Sequence, residues 1–159
     1  MKLYLVSLCA LLIIAVNIVY SQEQLMFQNA NLKLQIPNEW SAKKINDKYL
    51  IYANTKDLYI GMNVVNETRI NVVLDNVMKT LNFTFRFAVY NAPVYYNING
   101  LKVVLLSGKN NDGQYINYAL VATNNGKILE IGSILRPDSF NKYKDILIKM
   151  SNEIVKIKG

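Results

Sequence analysis

Histidine is absent from this chain, and its one cysteine, Cys9, stands in an apolar stretch near the N-terminus. The missing histidine excludes Ser–His–Asp and Cys–His nucleophilic catalysis and the usual zinc sites. Beyond residue 21 there is no thiol and so no disulfide. A domain of this length buries enough surface to fold without either kind of staple. Acidic residues are also scarce, 11 against 18 Lys and Arg. Asp47, Asp57 and Asp112 fall in turn positions, where Asp serves backbone geometry. Glu39 and Glu130 are isolated in sequence, so no spacing points to the paired carboxylates of a glycosidase. Asn110-Asn111-Asp112-Gly113 lacks the later ligand Glu of a calcium loop, and no glycine-rich phosphate cradle occurs. We therefore expect no enzyme activity, no cofactor and no metal site.

Three Pro and seven Gly punctuate the chain without forming a linker. This implies one domain over residues 22–159. Removing Lys2 leaves 17 basic against 11 acidic residues, a net charge of +6. That balance favours solubility and attraction to anionic surfaces. Lys43-Lys44 is the only adjacent basic pair, too short a run for a dedicated nucleic-acid patch.

Residues 1–21 read as a signal peptide. Met1-Lys2 is a short positive start, and Leu3 to Val16 is nearly unbroken apolar sequence. Val19 and Ser21 suit cleavage after Ser21, giving a mature start at Gln22. The chain is thus expected to be exported, periplasmic or secreted, touching membrane only through this leader. The alternative is an anchor left uncleaved. Cys9 lies mid-run rather than at its end, so it is a filler hydrophobe and not a lipidation site.

Periodicity sorts the remainder. Leu25 to Phe27, Leu32 to Ile36, Tyr49 to Ala53 and Leu58 to Val65 read as strands. Ile70, Val73, Leu74, Val77, Met78 and Leu81 recur at spacings of three and four, which predicts a helix over 69–81 with Thr68 as its N-cap. Phe83, Phe85, Phe87 and Val89 alternate with Thr84, Arg86 and Ala88, which predicts a strand with one aromatic face. Three more strands, Leu101 to Ser107, Tyr115 to Thr123 and Ile128 to Ile134, are joined by turns ending in Asp112-Gly113 and Asn125-Gly126. A final helix is expected over 139–156, with Phe140, Tyr143, Ile146, Leu147, Met150 and Ile154 as its apolar stripe. The fold class is α+β: an antiparallel sheet of six to seven strands with two helices packed on it.

Aromatic residues supply the candidate contacts. Trp40, near Tyr49 and Tyr52, offers a stacking surface, although a lone Trp after a strand more often packs in the core. Tyr90, Tyr95 and Tyr96 cluster around Pro93 in what reads as a loop, and form the best aromatic contact site if exposed. Asn66-Glu67-Thr68 and Asn82-Phe83-Thr84 match the glycosylation acceptor pattern, which matters only in a eukaryotic host.

The layout resembles the PsbP-like fold, which covers the extrinsic PsbP protein of photosystem II and bacterial envelope proteins of the DcrB type. The resemblance rests on a strand ending in Ile36-Pro37 with Trp40 just after, and on Asn99-Gly100 opening a long strand. A glycine-turned hairpin and a C-terminal amphipathic helix complete it. It spans most of Leu25 to Lys158. It implies a binding or assembly module with no shared catalytic set. Pro37, Trp40 and Gly100 match as structural positions only. The expectation is an exported, non-enzymatic module that binds a protein partner or an anionic envelope surface. The alternative is a small-molecule or carbohydrate-binding module with a Tyr- and Trp-lined concavity. A contiguous aromatic pocket would favour the second reading, a flat basic surface the first.

Overall fold

Eight strands form one continuous antiparallel sheet at the centre of the chain. The computed structural model describes residues 24–38, 40–46, 48–53, 58–139, 141–143 and 155–156. The expected leader, with Ser21 and Gln22, lies outside these residues, as do Glu39, Asp47 and Asp57.

In chain order the strands are β1 (Gln24–Phe27), β2 (Leu32–Gln35), β3 (Trp40–Ile45), β4 (Lys48–Ala53) and β5 (Tyr59–Val65). Helix α1 (Ile70–Thr84) follows. Then come β6 (Val89–Tyr90), β7 (Val94–Ile98), β8 (Leu101–Lys109), β9 (Tyr115–Ala122) and β10 (Ile128–Leu135). Residues 137–139 and 141–143 are helical, and β11 (Val155–Lys156) is the last strand described. The main sheet runs β3-β4-β5-β10-β9-β8, and β6 and β7 share the free side of β8. A second sheet has the order β1-β2-β11.

Alternation explains the layering. In β10, Leu129, Ile131 and Leu135 face one way, while Ile128, Glu130, Gly132 and Ile134 face the other. The first set joins a core with Leu25, Phe27, Leu32 and Leu34 of the small sheet, and with Trp40 and Tyr143. The small sheet and the start of the second helix therefore cap this face. The opposite face carries α1, whose Val73, Leu74, Val77 and Leu81 pack on Val104, Leu106, Ile116 and Leu120. Hairpin chemistry sets the register: Gly113 and Gly126 adopt φ of 74° and 73°, which only glycine takes cheaply.

The α+β class is as expected, but several boundaries differ. The strand expected over 83–89 does not form. Helix α1 instead continues to Thr84, and the Phe85 N–H closes it on the Leu81 carbonyl at 2.7 Å. Of that segment only Val89 pairs, with Lys109, and the next residue, Tyr90, pairs with Gly108. Thr68 does not cap α1. No side-chain hydrogen bond caps its N-terminus; the Glu67 carboxylate accepts the Thr68 and Arg69 N–H groups just ahead of the helix, at 2.9 Å each. Helical structure in the C-terminal segment begins at 137, two residues early, and Val155–Lys156 are a strand against β2 rather than helix. Residues 144–154, with Ile146, Leu147, Met150 and Ile154, lie outside those described. Strands β3 and β7 raise the count above six to seven.

Candidate functional site

Helix α1 covers only part of its sheet face. Its apolar stripe lies over β8, β9 and Ile128 at the start of β10. Beyond the helix end no element among the described residues covers β4, β5 and the second half of β10, and a groove of about 810 Å³ opens there. Leu81, Thr84 and Phe85 of the helix end form one wall. Leu50, Tyr59 and Ile134 line the sheet side.

Two strand-interior glycines make the floor. Gly61 and Gly132 are register partners on β5 and β10, and Gly132 also faces Tyr118 on β9. The Tyr118 ring lies flat against Gly132: a Cβ there would sit 2.6 Å from its Cε2. At Gly61 the nearest atom to an added Cβ is the Gly132 carbonyl oxygen at 4.0 Å, so this part of the floor is open. A polar pair stands beside the glycines. Asn63 Nδ2 donates to Glu130 Oε2 at 3.2 Å, across a direct register position. Burial pushes the Tyr118 hydroxyl pKa up, and the nearby Glu130 charge adds to the shift. The groove thus joins apolar walls, an aromatic ring and a half-buried carboxylate–amide pair. Such a mixture holds an apolar ligand body and orients it through a few hydrogen bonds.

The aromatic residues singled out from sequence do not gather at one place. Trp40 is buried, and its ring meets Tyr143 edge-on at 5.8 Å between centroids. Tyr49 packs on Phe27 at 5.0 Å. Tyr52 lies on the other sheet face from Trp40 and tilts against Tyr59. The Pro93 segment is an edge strand rather than a loop. Tyr95 and Tyr96 are exposed there on opposite faces of β7. Tyr90 lies on β6 over Gly108, its hydroxyl buried without a hydrogen-bond partner among the described residues. Burial raises its pKa. Asn66 and Asn82 are both exposed, so burial does not close the Asn82 acceptor pattern.

Asn63 and Tyr118 were not singled out from sequence, and Glu130 was read there only as an isolated carboxylate. Their one sequence signal is glycine inside a strand, which marks close approach of another group.

No family model matches the chain, and no curated protein matches it in sequence. Solved structures do match. The chain is similar to cyanobacterial PsbP from Synechocystis sp. PCC 6803, with a TM-score of 0.68 and 13% identity over 87% of this chain and 94% of that one. It is also similar to PA94, a Pseudomonas aeruginosa protein of unknown function, with a TM-score of 0.57 and 12% identity over 87% and 99% of the two chains. The fold is PsbP-like, as the sequence resemblance implied.

Proposed function

We propose that this domain is a non-catalytic binding module of an exported protein, and that its ligand lies in the groove at the end of α1. Of the two readings drawn from sequence, the groove favours the small-molecule one. The observation that carries it is a concavity of about 810 Å³ with a glycine floor beside the Tyr118 ring and the Asn63–Glu130 pair. Its ligand class is a small amphiphile: an apolar body against Leu50, Ile134 and Phe85, and a hydroxyl or amide end toward Glu130 and Asn63. Binding rather than catalysis follows from the wall chemistry. Glu130 is the one carboxylate among the described residues lining the groove, and it already accepts from Asn63. Acid–base hydrolysis needs a second such group in reach.

The test is mass spectrometry of small molecules released from protein isolated from its own host. The Gly61→Leu variant fills the floor without a backbone clash. A bound molecule is expected with the wild type and absent from the variant at equal thermal stability. A molecule retained in full by Gly61→Leu would remove the groove as its site. Export is tested separately: N-terminal sequencing of secreted material should begin at Gln22, and a retained Met1 would restore the anchored alternative.

A further inference from the structure

The two edges of the main sheet are protected very differently. At the β3 edge, Lys43 and Lys44 are exposed, and antiparallel self-pairing would set like charges close together. The other edge is made by β6 and β7 in line along β8, interrupted at Pro93. Residues 89–98 contain no charged side chain. Val89, Val94, Tyr95 and Tyr96 are 73%, 47%, 61% and 50% exposed. The register divides these by face. Val94 and Tyr96 stand opposite Leu105 and Val103, on the face of the small sheet, while Tyr95 stands opposite Val104 on the α1 face. Val94, Tyr96 and Ile98 therefore continue the packed core outward to a bare edge. Among the described residues no strand pairs on that side of β7. A strand edge with unpaired backbone groups, apolar side chains and no charge is a template for another strand.

We propose that β7 pairs with β7 of a second copy, antiparallel across a two-fold axis at Tyr96. A two-fold of this kind keeps each sheet face continuous, so opposed residues must share a face. Centring on Tyr96 satisfies this for the whole strand. Tyr96 meets Tyr96 of the other copy, Val94 meets Ile98, and Tyr95 meets Asn97. Each cross-strand pair is chemically matched: aromatic on aromatic, aliphatic on aliphatic, hydroxyl beside amide. No like charges oppose one another. The strand is thus self-complementary in one register, and the two eight-stranded sheets join into one. This proposal is independent of the groove, whose lining comes from the end of α1 and from β3, β4, β5, β9 and β10 and includes no residue of β6 or β7.

The test reads both association and register. Sedimentation of the full chain over a concentration series should show mass rising from one copy toward two, and Tyr96→Lys should hold it at one copy by opposing two ammonium groups. Register is read by oxidation in a Cys9→Ser background, where the introduced thiol is the only one. Opposed Cβ atoms lie about 4.5–5.5 Å apart, within small adjustment of disulfide geometry. Tyr96→Cys should give a covalent dimer, Val94→Cys should not, and Val94→Cys with Ile98→Cys should regain it. Cooperative melting of each variant shows that the fold is intact; Val94 and Tyr96 are exposed, and only Ile98→Cys is expected to lower the midpoint, since Ile98 packs partly on the core. A wild type that sediments as one copy at every concentration overturns the proposal. So does association that survives Tyr96→Lys, or Val94→Cys linking as readily as Tyr96→Cys.

Discussion

One face of the main sheet is closed and the other is half open. On the closed face, the small sheet and the start of the second helix bury Ile51, Ile60, Val103, Val121 and Leu129 together. On the other face, α1 seals β8 and β9 but stops at Thr84, leaving Leu50, Tyr59 and Ile134 at a groove. The same strands serve both faces, since alternate residues of β5 and β10 point to each. The closed face therefore holds the sheet together, while the open one has apolar surface to spend on a ligand. Exposed apolar surface on a folded domain costs solubility unless something uses it.

The largest expected effect is on the closed face. Leu129 is fully buried, so Leu129→Ala should cost about 2–5 kcal/mol in urea unfolding. Leu50→Ala, on the open face, should change stability by only about 0.5 kcal/mol while weakening ligand binding. Equal losses at the two positions would erase the distinction between the faces.

The two glycine–tyrosine contacts sharpen it further. A Cβ at Gly108 would lie 2.6 Å from the Val89 carbonyl oxygen, which is backbone and held by pairing. Gly108→Ala should therefore cost about 1–3 kcal/mol, the usual overpacking range. At Gly132 the obstacle is the outer part of the Tyr118 ring, which can swing into the open groove. Gly132→Ala should cost less than Gly108→Ala, and should bring the Tyr118 titration down toward that of ordinary tyrosine as the ring gains solvent. Spectrophotometric titration of the variant checks this, and a Tyr118 hydroxyl that still titrates high would place the ring elsewhere.

The smallest effect concerns the start of α1. Arg69, through its side-chain and backbone hydrogen bonds, holds the Glu67 pKa down to about 2 from 4.5. A carboxyl depressed in the folded state stabilises it fully above its unfolded pKa and loses that contribution as pH falls through the folded one. The contribution should fade between about pH 4.5 and 2. Glu67→Gln should lower the melting temperature slightly at neutral pH, leave it unchanged near pH 2 and so flatten the acid limb between; the loss is small because the pair is largely exposed.

Elements with a strong period were readable from sequence. The stripe of α1 and the strands joined at Gly113 and Gly126 follow from spacing and turn chemistry. Edge strands were not. In β7 both faces are solvated, so Val94-Tyr95-Tyr96 shows no alternation to detect. In β3 only Trp40 is buried, and Lys43-Lys44 hides the pattern. Phe83, Phe85 and Phe87 mimicked a strand, yet Phe83 and Phe87 are exposed and the backbone there finishes a helix. Phe87 adopts a φ of 66°, which a strand residue does not take. The groove was hidden for a different reason. Tyr118 and Gly132 face each other across the β9–β10 hairpin, but Asn63 and Glu130 meet only through the β5–β10 register. Pairing of strands that far apart is not written in local spacing, so only the glycines gave a trace.

The most direct test of the open face uses a soluble probe of the proposed ligand class. Hexyl glucoside has an apolar tail and a hydroxyl-rich end, and its binding is mapped by amide chemical shifts of the labelled protein. Saturable shifts are expected at Tyr59, Gly61, Tyr118, Gly132 and the Asn63 side chain, with none around Leu129, and Gly61→Leu should abolish them. Saturable shifts confined to other surfaces, or unchanged in Gly61→Leu, would contradict the account.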